Sequence, residues 1–219
     1  MIDTWLAVAA PLLRPARLWT REEVLARPSP VPAAAGIYTW YFTSLPLAVD
    51  TGGCVEVDGW RLLYVGISPK PPPANGTPAS RQQLRSRLRQ HYAGNAAGST
   101  LRLTLGCLLA SELDLQLRRI GSGQRLTFAD GEPLLSAWMG RHARVCWMPH
   151  PRPWELEQPL VAQLDLPLNL HGNSQHPFYP NLRAIRAAAK DTARALPVWT
   201  PAASRPAGDR TRPTPSGPA

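Results

Sequence analysis

The sequence predicts a mixed α/β (α+β) domain, a small three-stranded and largely antiparallel sheet flanked by helices, with helical extensions at both ends. Three observations carry this. Gly36 to Phe42 and Arg61 to Ile67 are short runs dense in β-branched and aromatic residues, each bounded by Gly/Pro-rich sequence as strands are. Ala143 to Met148, where Val145 and Trp147 alternate, supplies a third strand. Around these runs lie segments with caps and apolar residues at helical spacing. A chain of 219 residues suffices for one domain with a covered core plus additions.

Taken in order, residues 1–30 form a helical N-terminal extension. Thr20-Arg-Glu-Glu23 reads as a capping box that opens a short helix ending before Pro28. The stretch 43–59, with Gly52-Gly53 and Asp58-Gly59, turns the chain back between the first two strands. Pro69 to Pro78 is a loop, because its prolines lack amide donors and fix their own backbone angles. Ser80 is placed to cap a helix running to about Tyr92, and Ser99 or Thr100 to cap another over Leu101 to Ala110. Between 113 and 130, Leu113, Leu115 and Leu117 alternate like a strand in a short, glycine-bounded segment, and its structure stays open. Pro133 to His142, Leu156 to Leu164 and Asn181 to Leu196 read as helices. The organisation is then a central domain over 31–170 with inserts at 69–80 and 93–150, a C-terminal helix within 171–196, and a proline-rich, disordered tail over 197–219.

The formal charge of +9 and a pI near 10.3 point to a polyanionic partner, and nucleic acid is the natural one. Lys70 and Lys190 are the only lysines, so the cations are nearly all guanidinium forks suited to phosphate oxygens. Cys54, Cys107 and Cys146 are widely spaced without C-x-x-C pairing, which argues against a disulfide framework and for a reducing cytoplasm. The apolar run Trp5 to Leu13 is far too short for a membrane span, and neither secretion nor membrane insertion is expected.

On a helical wheel for Arg81 to Tyr92, Leu84 and Leu88 mark the core face. Arg87 and His91 lie along one edge of it, Arg85 and Arg89 along the other. Downstream, a helix through Trp154 to Leu164 sets Glu157 among Leu156, Leu160 and Val161, whereas Glu155 points away. A carboxylate on an apolar face is costly unless a cation or donors compensate it, and a divalent metal is the productive solution.

The run Ala35-Gly-Ile-Tyr-Thr-Trp-Tyr-Phe42 resembles the first motif of the GIY-YIG nuclease family, and Leu62-Leu-Tyr-Val-Gly-Ile-Ser68 resembles the second. Leu84-Arg-Ser-Arg-Leu-Arg-Gln-His91 is similar to the family's following helix, and Glu157, Leu160-Val161, Pro167 and Asn169 to its metal-binding segment. The resemblance implies a metal-dependent endonuclease acting on DNA, in a family that serves repair, restriction and homing, with Mg²⁺ (or Mn²⁺) on Glu157. Tyr38 would activate water and Tyr64 would position it. Arg87 would stabilise the charge of the pentacovalent transition state, His91 would handle a proton or contact phosphate, and Asn169 would orient the phosphate or a ligand. Gly66 and Ser68 would bind substrate together with Arg85 and Arg89. The family's frequent lysine after the second motif's glycine is replaced by Ile67, so that charge must come from elsewhere. The competing readings are a catalytically inactive nucleic-acid-binding domain of the same fold and a zinc-stabilised module built on Cys146, His150, His171 and His176.

Overall fold

The structure, a computed structural model, describes residues 4–45, 49–78 and 80–200. Its centre is an antiparallel sheet of four strands in the order β2-β3-β1-β6, with β1 Gly36–Phe42, β2 Glu56–Val57, β3 Trp60–Ser68 and β6 Ala143–Pro149. The three predicted strands form its body. The addition, β2, is two residues long and below the reach of any periodicity. It pairs with Trp60 and Arg61 across Asp58-Gly59, where both residues have positive φ (50° and 78°), the two-residue turn that matches strand twist.

Alternation along the central strands separates two cores. Tyr38, Trp40 and Phe42 face α2 (Arg21–Leu25), α3 (Leu84–Ala93), α4 (Thr100–Leu108) and α5 (Glu132–His142). Ile37, Tyr41, Leu62 and Val65 face α1 (Thr4–Leu13) and α6 (Trp154–Gln163). The N-terminal extension is thus part of the body: Ala9 and Leu12 are fully buried, and the Tyr41 hydroxyl donates to Leu12 O at 2.7 Å. The Thr20–Glu23 capping box forms with both reciprocal bonds.

Two expectations about element ends are corrected, and one segment left open takes shape. Ser80 does not cap α3; its Oγ accepts from Gln82 N in a local turn, and the helix starts at Leu84 after Gln83. The open segment 113–130 contains a two-stranded ribbon, β4 Arg118–Ile120 with β5 Arg125–Thr127, followed by a single 3₁₀ turn. The stretch just after 197 is tied to the ribbon rather than loose. Trp199 N donates to Arg119 O at 2.7 Å and lies alongside β4, while 201–219 fall outside the described residues. The last helix, α7 Tyr179–Ala195, packs on α4.

Candidate active site

Pairing of β1 with β3 sets Tyr38 opposite Gly66 and Trp40 opposite Tyr64, so the two tyrosines stand on the same face, diagonal to one another. On that face α3 brings Arg87 and His91, four residues apart. The Tyr38 hydroxyl is the meeting point. Arg87 Nε donates to it at 3.2 Å, and His91 Nε2 lies 2.8 Å from it. The His91 ring is enclosed by Tyr38, Trp40 and Tyr64 at centroid distances of 5.3, 5.7 and 6.4 Å, and it is fully buried. Its other nitrogen, Nδ1, meets Ser99 Oγ at 2.7 Å, and the same oxygen accepts from Arg102 N as the N-cap of α4. Arg87 is further fixed by donation from Nη1 to Gly98 O at 2.9 Å. The segment 93–150, an insert by sequence, therefore supplies the oxygens that hold both Arg87 and His91.

Burial governs the protonation states. It pushes the Tyr38 phenol well above the usual range, reinforced by Tyr64 and opposed by Arg87. It raises Tyr64 likewise, with Thr100 beside that side chain and Arg87 working against the rise. His91 is held well below its ordinary value by burial and then by Arg87 and Arg102, so it is neutral and keeps one lone pair.

Glu157 comes from the other layer. α6 begins at Trp154, five residues ahead of Pro159, so Glu157 lies inside the helix and its N–H reaches Pro153 O at 3.1 Å. Leu156, Leu160 and Val161 bury against the sheet as the wheel predicted, and Glu157 itself is half-buried. Burial raises its carboxyl to about 7, against the downward pull of Lys70 and then Arg87. Its negative charge also acts to raise both tyrosines, behind the larger effect of their burial. Lys70 was not foreseen. It stands four residues beyond Gly66, in a chain with one other lysine, and its charge acts on the Glu157 carboxyl.

A divalent cation fits this donor set. Mg²⁺ binds through one or two carboxylates and takes its other ligands from water and phosphate. Among the described residues no three His, Cys, Asp or Glu gather closely enough to hold a metal by themselves. The zinc grouping does not form: the Cys146 thiol is buried against Pro11 O, and His176 Nε2 is 2.5 Å from Asp165 Oδ1.

Several predicted contacts are placed differently. Asn169 does not face a phosphate. Its Oδ1 accepts from Val65 N at 2.9 Å and its Nδ2 donates to Val65 O at 2.8 Å, completing the outer edge of β3 as a neighbouring strand would. Gly66 offers no surface, because a Cβ there would lie 2.6 Å from the Tyr38 hydroxyl; the glycine makes room for that ring. Ser68 is fully buried with its Oγ unpaired, closed in where β3 ends between the two layers. Arg85 and Arg89 lie away from the tyrosines: Arg85 Nε donates to Val31 O at 2.7 Å, and both line a groove with Arg27 and Pro28. That groove, of about 480 Å³, and smaller ones of 260 and 380 Å³ against α7 and α5 are lined by other residues than the tyrosine cluster.

No curated protein and no solved structure matches the chain. A family model described as the GIY-YIG catalytic domain matches residues 36–188, from the first residue of β1 into α7. Since that match covers most of the chain and both tyrosine strands, this protein belongs to the GIY-YIG family of nuclease catalytic domains.

Proposed function

We propose that this protein is a metal-dependent endonuclease that hydrolyses DNA phosphodiester bonds. The observation that carries the reading is the double engagement of the Tyr38 hydroxyl by Arg87 and the neutral His91. A buried phenol with a raised pKa is a poor base alone, but here the hydroxyl has somewhere to send its proton. As water attacks phosphorus, Tyr38 accepts the water's proton while passing its own to His91 Nε2, and Arg87 stabilises the oxygen's growing charge. The phosphate also offsets the Arg87 charge that depresses His91 in the free protein, so substrate binding strengthens the acceptor when it is needed. Tyr64 borders the same space. Glu157 would hold Mg²⁺ or Mn²⁺, which supplies Lewis-acid stabilisation of the leaving oxygen. Lys70 adds charge on that side. The three cysteines are all unpaired, consistent with a reducing cytoplasm.

The test is nicking of supercoiled plasmid, flap and junction DNA with Mg²⁺ or Mn²⁺. Wild type is expected to nick, and Arg87→Ala to lose the activity while still binding DNA. DNA binding without nicking by wild type on every substrate makes the chain an inactive binding domain of the same fold.

A further inference from the structure

The final helix α7 carries a cationic feature the active site does not use. Arg183, Arg186, Lys190 and Arg194 recur at spacings of three and four and line one groove with Leu170 and Asp191, four cations against one carboxylate. Solvated basic helix faces are common, but this one is concave and not wholly solvated. Arg186 is half-buried, and its Nη1 donates to Thr104 Oγ1 at 3.2 Å. Thr104 is itself buried on α4, one turn beyond Thr100, which flanks Tyr64. A single helical turn of α4 therefore joins the basic groove to the tyrosine cluster. Gathering like charges beside one acid costs free energy unless a polyanion neutralises them.

We propose that the α7 groove is the track for the phosphate backbone of duplex DNA flanking the bond to be cut. The inference rests on the nuclease reading above and assigns the path of its substrate. From Arg183 to Arg194 the helix rises about 16 Å, the axial rise of roughly five nucleotides on one strand. The α7 groove, rather than the Arg85/Arg89 edge of α3, then sets the salt-dependent affinity. Arg194 Nη1 pairs with Asp191 Oδ1 at 2.6 Å, which leaves the groove a surplus of three cations, whereas Arg85, held on Val31 O, faces away from the tyrosines.

The experiment measures binding of the full chain to a 30-base-pair duplex without divalent cation, across salt concentrations. It compares wild type with Arg183→Gln/Lys190→Gln/Arg194→Gln and with Arg85→Gln/Arg89→Gln; Arg186 is kept because of its bond to Thr104. The triple variant is expected to bind about 10- to 100-fold more weakly, with the slope of log K against log salt reduced by about two to three. The α3 pair is expected to change affinity by less than about threefold. Unfolding temperatures matching wild type show that the loss lies in binding. A triple variant with unchanged affinity and slope overturns the inference, as does a larger loss in the α3 pair. Wild type that binds DNA through α7 but never nicks refutes the nuclease reading while leaving the track in place, whereas wild type that binds no DNA removes both.

Discussion

The tyrosine side and the glutamate side of the site are built on opposite terms. Tyr38, His91, Ser99 and Arg87 form a closed chain in which each polar group has a protein partner, and His91 is sealed from solvent. Glu157 is half-buried, and the influences on its carboxyl are burial and the distant charges of Lys70 and Arg87, with no hydrogen bond among them. The first arrangement is complete without a ligand. The second carries a desolvation cost that the protein itself does not fully offset. The contrast separates what the fold preorganises, the positions of the phenols and the guanidinium, from what it leaves to be compensated by a cation.

The hardest test of that contrast is Glu157→Gln. Nicking should fall by about 10³-fold, while the metal-free protein should become more stable at pH 8 by roughly 1–3 kcal/mol. The sign follows from the direction of the shift. Burial raises the carboxyl from 4.5 to about 7, so ionising it costs stability. The cost grows between those two values and is absent below the lower one. The stabilisation by glutamine should therefore vanish below about pH 4.5, and thermal melts at pH 4 and pH 8 read it directly. A variant that melts no higher than wild type at pH 8 breaks the comparison.

On the closed side, substitution should cost activity and stability together. Tyr38→Phe leaves Arg87 Nε and His91 Nε2 without their shared partner, and is expected to slow nicking by about 10²–10³-fold and to destabilise by about 1–3 kcal/mol. Gly66→Ala drives a methyl group into the Tyr38 ring, and should cost about 1–3 kcal/mol with a loss of activity on the order of tenfold or more. Asn169→Ala strands the N–H and C=O of Val65 at the edge of β3; about 2 kcal/mol of stability should go, read by denaturant unfolding. The smallest effect expected is on pH dependence. Because His91 is held neutral well below its ordinary range, the rate profile should show no break near pH 6.5 from this residue. A break there that disappears in His91→Gln places the imidazole in a wetter setting than the closed chain allows.

Local pattern was enough for whatever depends on a single element's period. Clusters of β-branched and aromatic residues between glycines and prolines put Tyr38 and Tyr64 on strands, and β1–β3 pairing then brought them to one face; helical spacing set Arg87 and His91 on one edge of α3 and Arg85 and Arg89 on the other. The capping box of Thr20 is equally local. Partners far apart in sequence were not legible in this way. Nothing near Asn169 announces that its amide will stand in for a strand beside Val65, 104 positions away. Ser68 and Gly66 look like motif residues open to substrate, but one is enclosed and the other shaped by a ring across the sheet. Lys70 carries no pattern of its own and matters through what lies beside it.

The sequence by itself determined the three central strands, the main helices and the identity of the reactive groups, because these follow from side-chain type, period and caps within a few turns of chain. Only the tertiary structure decided which groups face the site and in what state of charge. Desolvation and partnership across two layers set whether Tyr38 is bonded, His91 neutral and Glu157 poised near 7, and those are properties of the packed arrangement rather than of any stretch of residues.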